Sequence, residues 1–400
     1  MALALDALVA GIGLLLLLPA TVLFAEVLLA VTGRDRTAVA VGERPRLAIL
    51  IPAHDEALVV AQTLSALSPE LCVGDRLIVV ADNCTDETAA VAAAGGAEVV
   101  IRHDLLHRGK GYALDFGLRH LAADAPAVVV IIDADCHVAA GTIDKLARTC
   151  VLSGRPVQAL YLMQAHKSAG PRMRIAQFAW AVKNQVRPSG LSRLGLPCQL
   201  MGTGMAFPWP CLSTAPLATG NIVEDLKLGI DLTRAGSPPL FCPQALVTSE
   251  FPTSSEGIES QRTRWEHGHL SLILREAPGL FFHSLAARDV RSMAMAMDLS
   301  VPPLALLALV SLVDWLAAVL LYGFTKTAFP LAVTSIVGAI LTLSVMLSWC
   351  AYGRHIVSLG GLAFAAIHAL LKIPLYVRFI VARQSKWVRS KREPDPRRHT

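Results

Sequence analysis

The stretch AVVVIIDADCHV, Ala127 to Val138, runs six apolar residues, five of them β-branched, into Asp133, an alanine and Asp135. Such a run reads as a strand buried on both faces. Two carboxylates at the tip of a core strand have no packing role. On an extended backbone, residues i and i+2 point the same way, so both can face one ion. Hard divalent cations such as Mg²⁺ or Mn²⁺ take oxygen ligands and leave positions open for phosphate oxygens. Solvated turn aspartates are the plainer reading, and the other strand ends decide between the two.

Around this stretch, apolar strand-like runs alternate with helical ones. LAILIP, RLIVVAD, AEVVIRHD, PVQALYL and ALVTSEF read as strands; ALVVAQTLSAL, TDETAAVAAAGG and KGYALDFGLRHLAAD read as helices. The pattern predicts an α/β, Rossmann-like fold with a mostly parallel sheet and ligands at the carboxyl ends of its strands. Those ends are acidic. PAHDE supplies Asp55 and Glu56, and ADNCTDET supplies Asp82 and Asp86. Thr85 can cap the next helix, with Asp86 and Glu87 in its first turn. Asp82 lies ahead of that cap, where a carboxylate suits the imide N–H of uracil or ribose hydroxyls.

RGKG is not a phosphate-binding P-loop, since Gly111 stands where Ser or Thr is required. Gly109 and Gly111 would instead let the backbone approach a ligand, with Lys110 reaching a diphosphate or base. NIVEDLKLGIDLTRAG, from Asn221 to Gly236, is an amphipathic helix with Glu224 and Asp225 in its first turn, where the helix dipole alone would favour them. In QRTRWEHGHL, Gln261, Arg264 and Trp265 share one helical face that can grip a diphosphate and stack a sugar. His267 and His269 diverge on a helix and predict no metal site.

The 400-residue chain is 54% hydrophobic with a mean hydropathy of +0.52, too apolar for an ordinary globular protein. Leu8–Val31 is long enough to span a bilayer, as are Ser300–Gly323 and Pro330–Gly353. Residues 356–381 are broken by His368, Lys372, Pro374 and Arg378, which favours an interfacial or re-entrant segment. The basic stretches after the first span and at the C-terminus place the middle of the chain in the cytoplasm, on the inner (plasma) membrane. Two cationic, apolar stretches, 171–196 and 278–297, read as elements lying on the membrane face. The expected division is an anchor and linker (1–45), a catalytic domain (46–275), an interfacial linker (276–299), membrane helices (300–382) and a basic tail (383–400). The eight scattered cysteines read as reduced core residues. The net charge of +5 lies mostly in the tail and suits lipid headgroups; no basic-aromatic stripe points to nucleic acid.

PAHDE, ADNCTDET, RGKG, DAD, VED and QRTRW, in this order and between spans, resemble the membrane-embedded family 2 glycosyltransferases, which include cellulose, chitin, poly-N-acetylglucosamine and hyaluronan synthases. The resemblance implies a GT-A fold, a nucleotide-sugar donor such as a UDP-sugar, Mg²⁺ or Mn²⁺, and inversion at the anomeric carbon. It places Ala53, Glu56 and Asp82 on the nucleoside and Lys110 on the base or diphosphate. Asp133 and Asp135 fall on the nucleotide and metal, with Asp225 as general base and Glu224 beside it at the substrate. Gln261, Arg264 and Trp265 become the platform for the diphosphate and the acceptor end. Two departures bear on polymerisation: LMGTGMAF carries Met201 where polymerising members have cysteine in F-C-G-T, and no F-x-V-T-x-K gating loop follows QRTRW. The acceptor is a growing glycan or a polyprenyl-linked lipid, and export of a polymer would call for a partner subunit. A transporter with a nucleotide-sensing domain would need more intramembrane ionisable groups than Glu26, Asp314 and Lys372.

Overall fold

The computed structural model describes residues 2–33, 42–252 and 254–381. The expected basic tail and most of the linker after the first span lie outside these residues. The chain forms two compact units.

One unit holds 42–164 and 195–271 of the described residues. Its sheet comprises β1 (Leu47–Ala53), β2 (Arg76–Asp82), β3 (Glu98–Arg102), β4 (Val128–Ile131), β5 (His137–Val138), β6 (Val157–Gln164), β7 (Met205–Pro208) and β8 (Leu240–Glu250). The spatial order is β3-β2-β1-β4-β7-β6-β8-β5. β1 pairs in parallel with both β2 and β4, and β2 with β3, so the carboxyl ends of these four strands open on one edge. β7 enters antiparallel between β4 and β6. The run Leu47–Ile51 is wholly buried, as the unbroken apolar pattern requires of a central strand covered on both faces. Helix Lys110–Leu121 lies close against this sheet because Gly117 has no side chain. A Cβ there would fall 2.5 Å from Leu50 Cδ1 and 2.9 Å from Val80 Cγ2.

The other unit gathers 2–33, 165–194 and 272–381 of the described residues. Four stretches are long and apolar enough to cross a membrane: Ala2–Thr32, Leu304–Thr325, Ala328–Gly353 and Leu359–Val381. The fourth is divided into three short helices, Leu359–Leu362, Ala365–Leu370 and Ile373–Val381. Residues 165–194 fall in this unit, although the sequence placed them within the catalytic stretch. They form helices Pro171–Ala181 and Arg187–Arg193, joined through a wide π-type turn at Val182–Val186. Pro188 explains the turn, since it has no N–H to give the carbonyl four residues back. Arg187, expected among the cations facing lipid headgroups, points inward. Its Nε donates to Glu26 Oε2 at 2.7 Å and its Nη2 to Asp298 Oδ1 at 2.5 Å, with all three side chains buried.

Candidate active site

β4 ends at Ile131, and Asp133 and Asp135 lie in the turn beyond it, closed by Cys136 N–H donating to Asp133 O at 3.2 Å. The turn, not strand alternation, brings the carboxylates together. An oxygen from each, and Cys136 Sγ, lie within 4.8 Å of one another. Burial pushes the Cys136 thiol well above its ordinary range, and its sulfur meets the Thr203 and Ser249 hydroxyls at 3.2 Å each. The carboxylate oxygens beside it are the donors that Mg²⁺ or Mn²⁺ favours. Burial, and then the charge of Asp135, push the Asp133 carboxyl up against the pull of Lys110. A cation held here would reverse that.

Lys110 opens the helix after β3. Its Nζ lies 2.5 Å from Asp133 Oδ1 and donates to Gly202 O at 2.7 Å. Burial alone would lower its pKa, but the charges of Asp133, Glu224 and Asp225 outweigh burial and raise it. Gly202 has a φ of +93°, in the left-handed region, and a Cβ there would lie 3.3 Å from Asp225 Oδ2 and 3.7 Å from Lys110 Nζ. Lys110 and Asp225 therefore meet across the bare backbone of Gly202. In the sequence Gly202 is only the residue after Met201 in LMGTGMAF; its place between two charged groups had no signal in the chain.

Glu224 and Asp225 begin helix Glu224–Arg234. Burial and the adjacent Asp225 push the Glu224 carboxyl up to about 7, with Lys110 and Arg264 pulling the other way. The pull of Arg264 places the QRTRW helix, Ser255–Ala287, within electrostatic reach of this pair. Gly268 makes the approach feasible, since a Cβ there would stand 2.5 Å from Val223 Cγ1. Gln261 and Trp265 share the face of Arg264 and are half-buried. The Glu224 shift has a measurable consequence. Its folded pKa lies above its unfolded one, so the folded state binds the extra proton between about 4.5 and about 7. Stability of the metal-free protein should therefore fall as pH rises through that window, and Glu224→Gln should remove the fall. Thermal melts at pH 5 and pH 8 check this.

At the other strand ends the structure separates ligand candidates from staples. Ala53 is the buried tip of β1. Asp55, at a φ of +53°, accepts Thr85 N–H at 2.6 Å and Thr85 Oγ1 at 3.2 Å. Thr85 therefore ties two turns together and does not cap the next helix. Glu56 is half-buried in the same turn, its N–H donating to Thr88 Oγ1 at 2.7 Å. Asp82 ends β2, paired with Arg102 at 2.6 Å. Gly111 gives no room to a ligand: a Cβ there would fall onto the Leu217 carbonyl oxygen, so this glycine admits the chain's own loop.

Residues 45–268 match the family described as glycosyltransferase-like family 2. This chain belongs to that family. It is similar to a probable glycosyltransferase of Bacillus subtilis, YdaM, at 26% identity over 258 residues, or 58% of this chain and 57% of that protein. An uncharacterized glycosyltransferase of Mycobacterium tuberculosis is 41% identical over 85 residues, 21% of this chain and 36% of that protein. The chain thus spans little more than half the length of the first of these relatives and about a third of the second. In three dimensions it is similar to the mannosyltransferase PcManGT of Pyrobaculum calidifontis, solved with GDP-Man and Mn²⁺. The TM-score is 0.52 at 16% identity, covering 94% of this chain and 95% of the other. The likeness extends the GT-A-type fold to this family 2 glycosyltransferase.

Proposed function

We propose that this family 2 glycosyltransferase moves a sugar from a UDP-sugar to a hydroxyl of a growing glycan or lipid-linked acceptor. The setting is cell-surface polysaccharide synthesis, with catalysis on the cytoplasmic face of the inner membrane. What carries the reading is the convergence of Asp133, Lys110 and Asp225 about the bare backbone of Gly202. Asp225 takes the proton of the acceptor hydroxyl as that oxygen attacks C1. The new C1–O bond forms as the bond from C1 to the diphosphate oxygen breaks on the opposite side, so configuration inverts. Lys110 and Arg264 meet the negative charge of the departing nucleoside diphosphate. Asp133 and Asp135 would hold Mg²⁺ or Mn²⁺, which when bound supplies further positive charge to the diphosphate.

The test is release of free nucleoside diphosphate from a panel of UDP- and GDP-sugars by purified membranes carrying the protein, with Mn²⁺. One UDP-sugar should give release that EDTA abolishes and that Asp135→Ala reduces to background. Release from a GDP-sugar alone would correct the base, and release unaffected by EDTA would overturn the metal assignment. Product length on a gel separates polymerisation from single addition to a polyprenyl-linked acceptor.

A further inference from the structure

Gln158 is a wholly buried amide on the inner strand β6. β6 pairs with β7 at Val157 with Ala206 and Gln158 with Met205, and Ala159 N–H then donates to Gly204 O at 2.7 Å. Ahead of β7 the chain leaves the sheet as the loop 201–204, and the Gln158 side chain reaches after it. Oε1 accepts the Met201 N–H at 2.8 Å, and Nε2 donates to the carbonyls of Thr203 and Ala159 at 2.9 Å each. The same loop serves the site. Gly202, between the two gripped residues, gives its carbonyl to Lys110 Nζ at 2.7 Å, and the Thr203 hydroxyl accepts the Asp133 N–H at 3.0 Å. A buried amide is tolerated where it is hydrogen-bonded, and an apolar side chain would be the plain choice for packing alone. Here both amide protons and the carbonyl oxygen go to main chain.

Gly202 and Gly204 both lie in the left-handed region, at φ of +93° and +65°. Glycine leaves such a backbone free to rotate, and a turn of the peptide after Gly202 would swing its carbonyl off Lys110. Gln158 opposes that turn by fixing the N–H before Gly202 and the carbonyl after it. We infer that Gln158 is a positioning residue for Lys110: through the loop 201–204 it keeps the Gly202 carbonyl on the ammonium, which stays beside Asp133 to meet the departing diphosphate. It acts through the loop and not on the substrate, as the supporting contacts of a precise site must. This rests on the proposed nucleotide-sugar site.

The experiment is a double-mutant cycle on the full-length protein in detergent, with Gln158→Met, Lys110→Met and the two together. kcat/KM is read from release of nucleoside diphosphate by the active sugar nucleotide with Mn²⁺, and thermal melts confirm that each variant is folded. Gln158→Met should lower kcat/KM by about tenfold to a hundredfold and weaken calorimetric binding of the released nucleotide, UDP or GDP, by about threefold to tenfold. In the Lys110→Met background the same change should lower either quantity by no more than about twofold, because the group it positions is gone. A purely structural role would cost as much in both backgrounds, and losses of equal size overturn the inference. So does a folded Gln158→Met with wild-type kcat/KM. Where Lys110→Met turns over too slowly to measure, the nucleotide affinities close the cycle on the same terms. If Gln158→Met fails to fold, Gln158→Asn replaces it, since it keeps the amide but draws it back by one methylene. Its loss should likewise appear with Lys110 present and vanish without it, and an equal loss, or none, overturns the inference. If no sugar nucleotide gives turnover in the wild-type protein, the donor-site reading falls and this inference with it. If the wild type turns over and the cycle shows no coupling, only this inference falls.

Discussion

Asp225→Asn is expected to lower kcat by roughly 10²–10⁴-fold, with the donor KM changed only a fewfold. The substitution keeps the shape of the side chain over Gly202 and removes its negative charge, and with it the capacity to take a proton. Donor affinity depends on the groups expected at the base, diphosphate and metal, and these are untouched. A loss confined to kcat is the signature of an interaction made in the transition state. Glu224 is the control, because two carboxylates open the same helix turn and burial pushes Glu224 up to about 7, a value suited to a base near neutral pH. Both acids act on Lys110, but it is the Asp225 carboxylate that stands over Gly202. Glu224→Gln should therefore lower kcat by less than tenfold. If turnover survives in Asp225→Asn and collapses in Glu224→Gln, the base assignment moves by one residue.

The strands were legible where burial alone dictates the sequence. RLIVVAD was read as a strand and is β2, residue for residue, because a central strand covered on both faces has no polar position to blur its limits. The acids after β1, β2 and β4 were legible for the opposite reason, as charges placed where packing gives them no use. β5 and β7 were not read: two and four residues carry too little periodicity to stand out, and their pairing is settled by β8, β4 and β6 far along the chain. The glycines divided in the same way. Gly109 and Gly111 drew attention because they flank a lysine, yet Gly111 serves the Leu217 carbonyl, while Gly202 and Gly268, which admit Asp225 and Val223, looked ordinary. Close approach is a property of pairs of distant segments, and one chain read in order does not reveal the second partner. Arg102 illustrates the same limit. At the end of AEVVIRHD it carries no signal of its own, and only the parallel register of β2 with β3, pairing Asp82 with Arg102, shows its partner.

That lesson applies most strongly to Arg187, which looked like one more cation of an interfacial helix. Arg187→Met is expected to destabilise the unit of apolar helices by about 3–5 kcal/mol, because it leaves two buried carboxylates, Glu26 and Asp298, without their counter-charge. The three residues come from segments far apart in the chain, drawn together where Gly190 lets its backbone press against the Glu26 carbonyl. Arg187 suits the place by shape. Its Nε serves Glu26 while Nη2 serves both the side chain and the backbone carbonyl of Asp298, the latter at 2.6 Å. An ammonium has no such fork, so Arg187→Lys should recover only part of the loss. If the penalty comes from uncompensated charge, neutralising both acids in the Arg187→Met background, with Glu26→Gln and Asp298→Asn, should restore most of the melting temperature in detergent. If the triple variant melts as low as Arg187→Met, the loss lies in packing, and the charges are incidental to it.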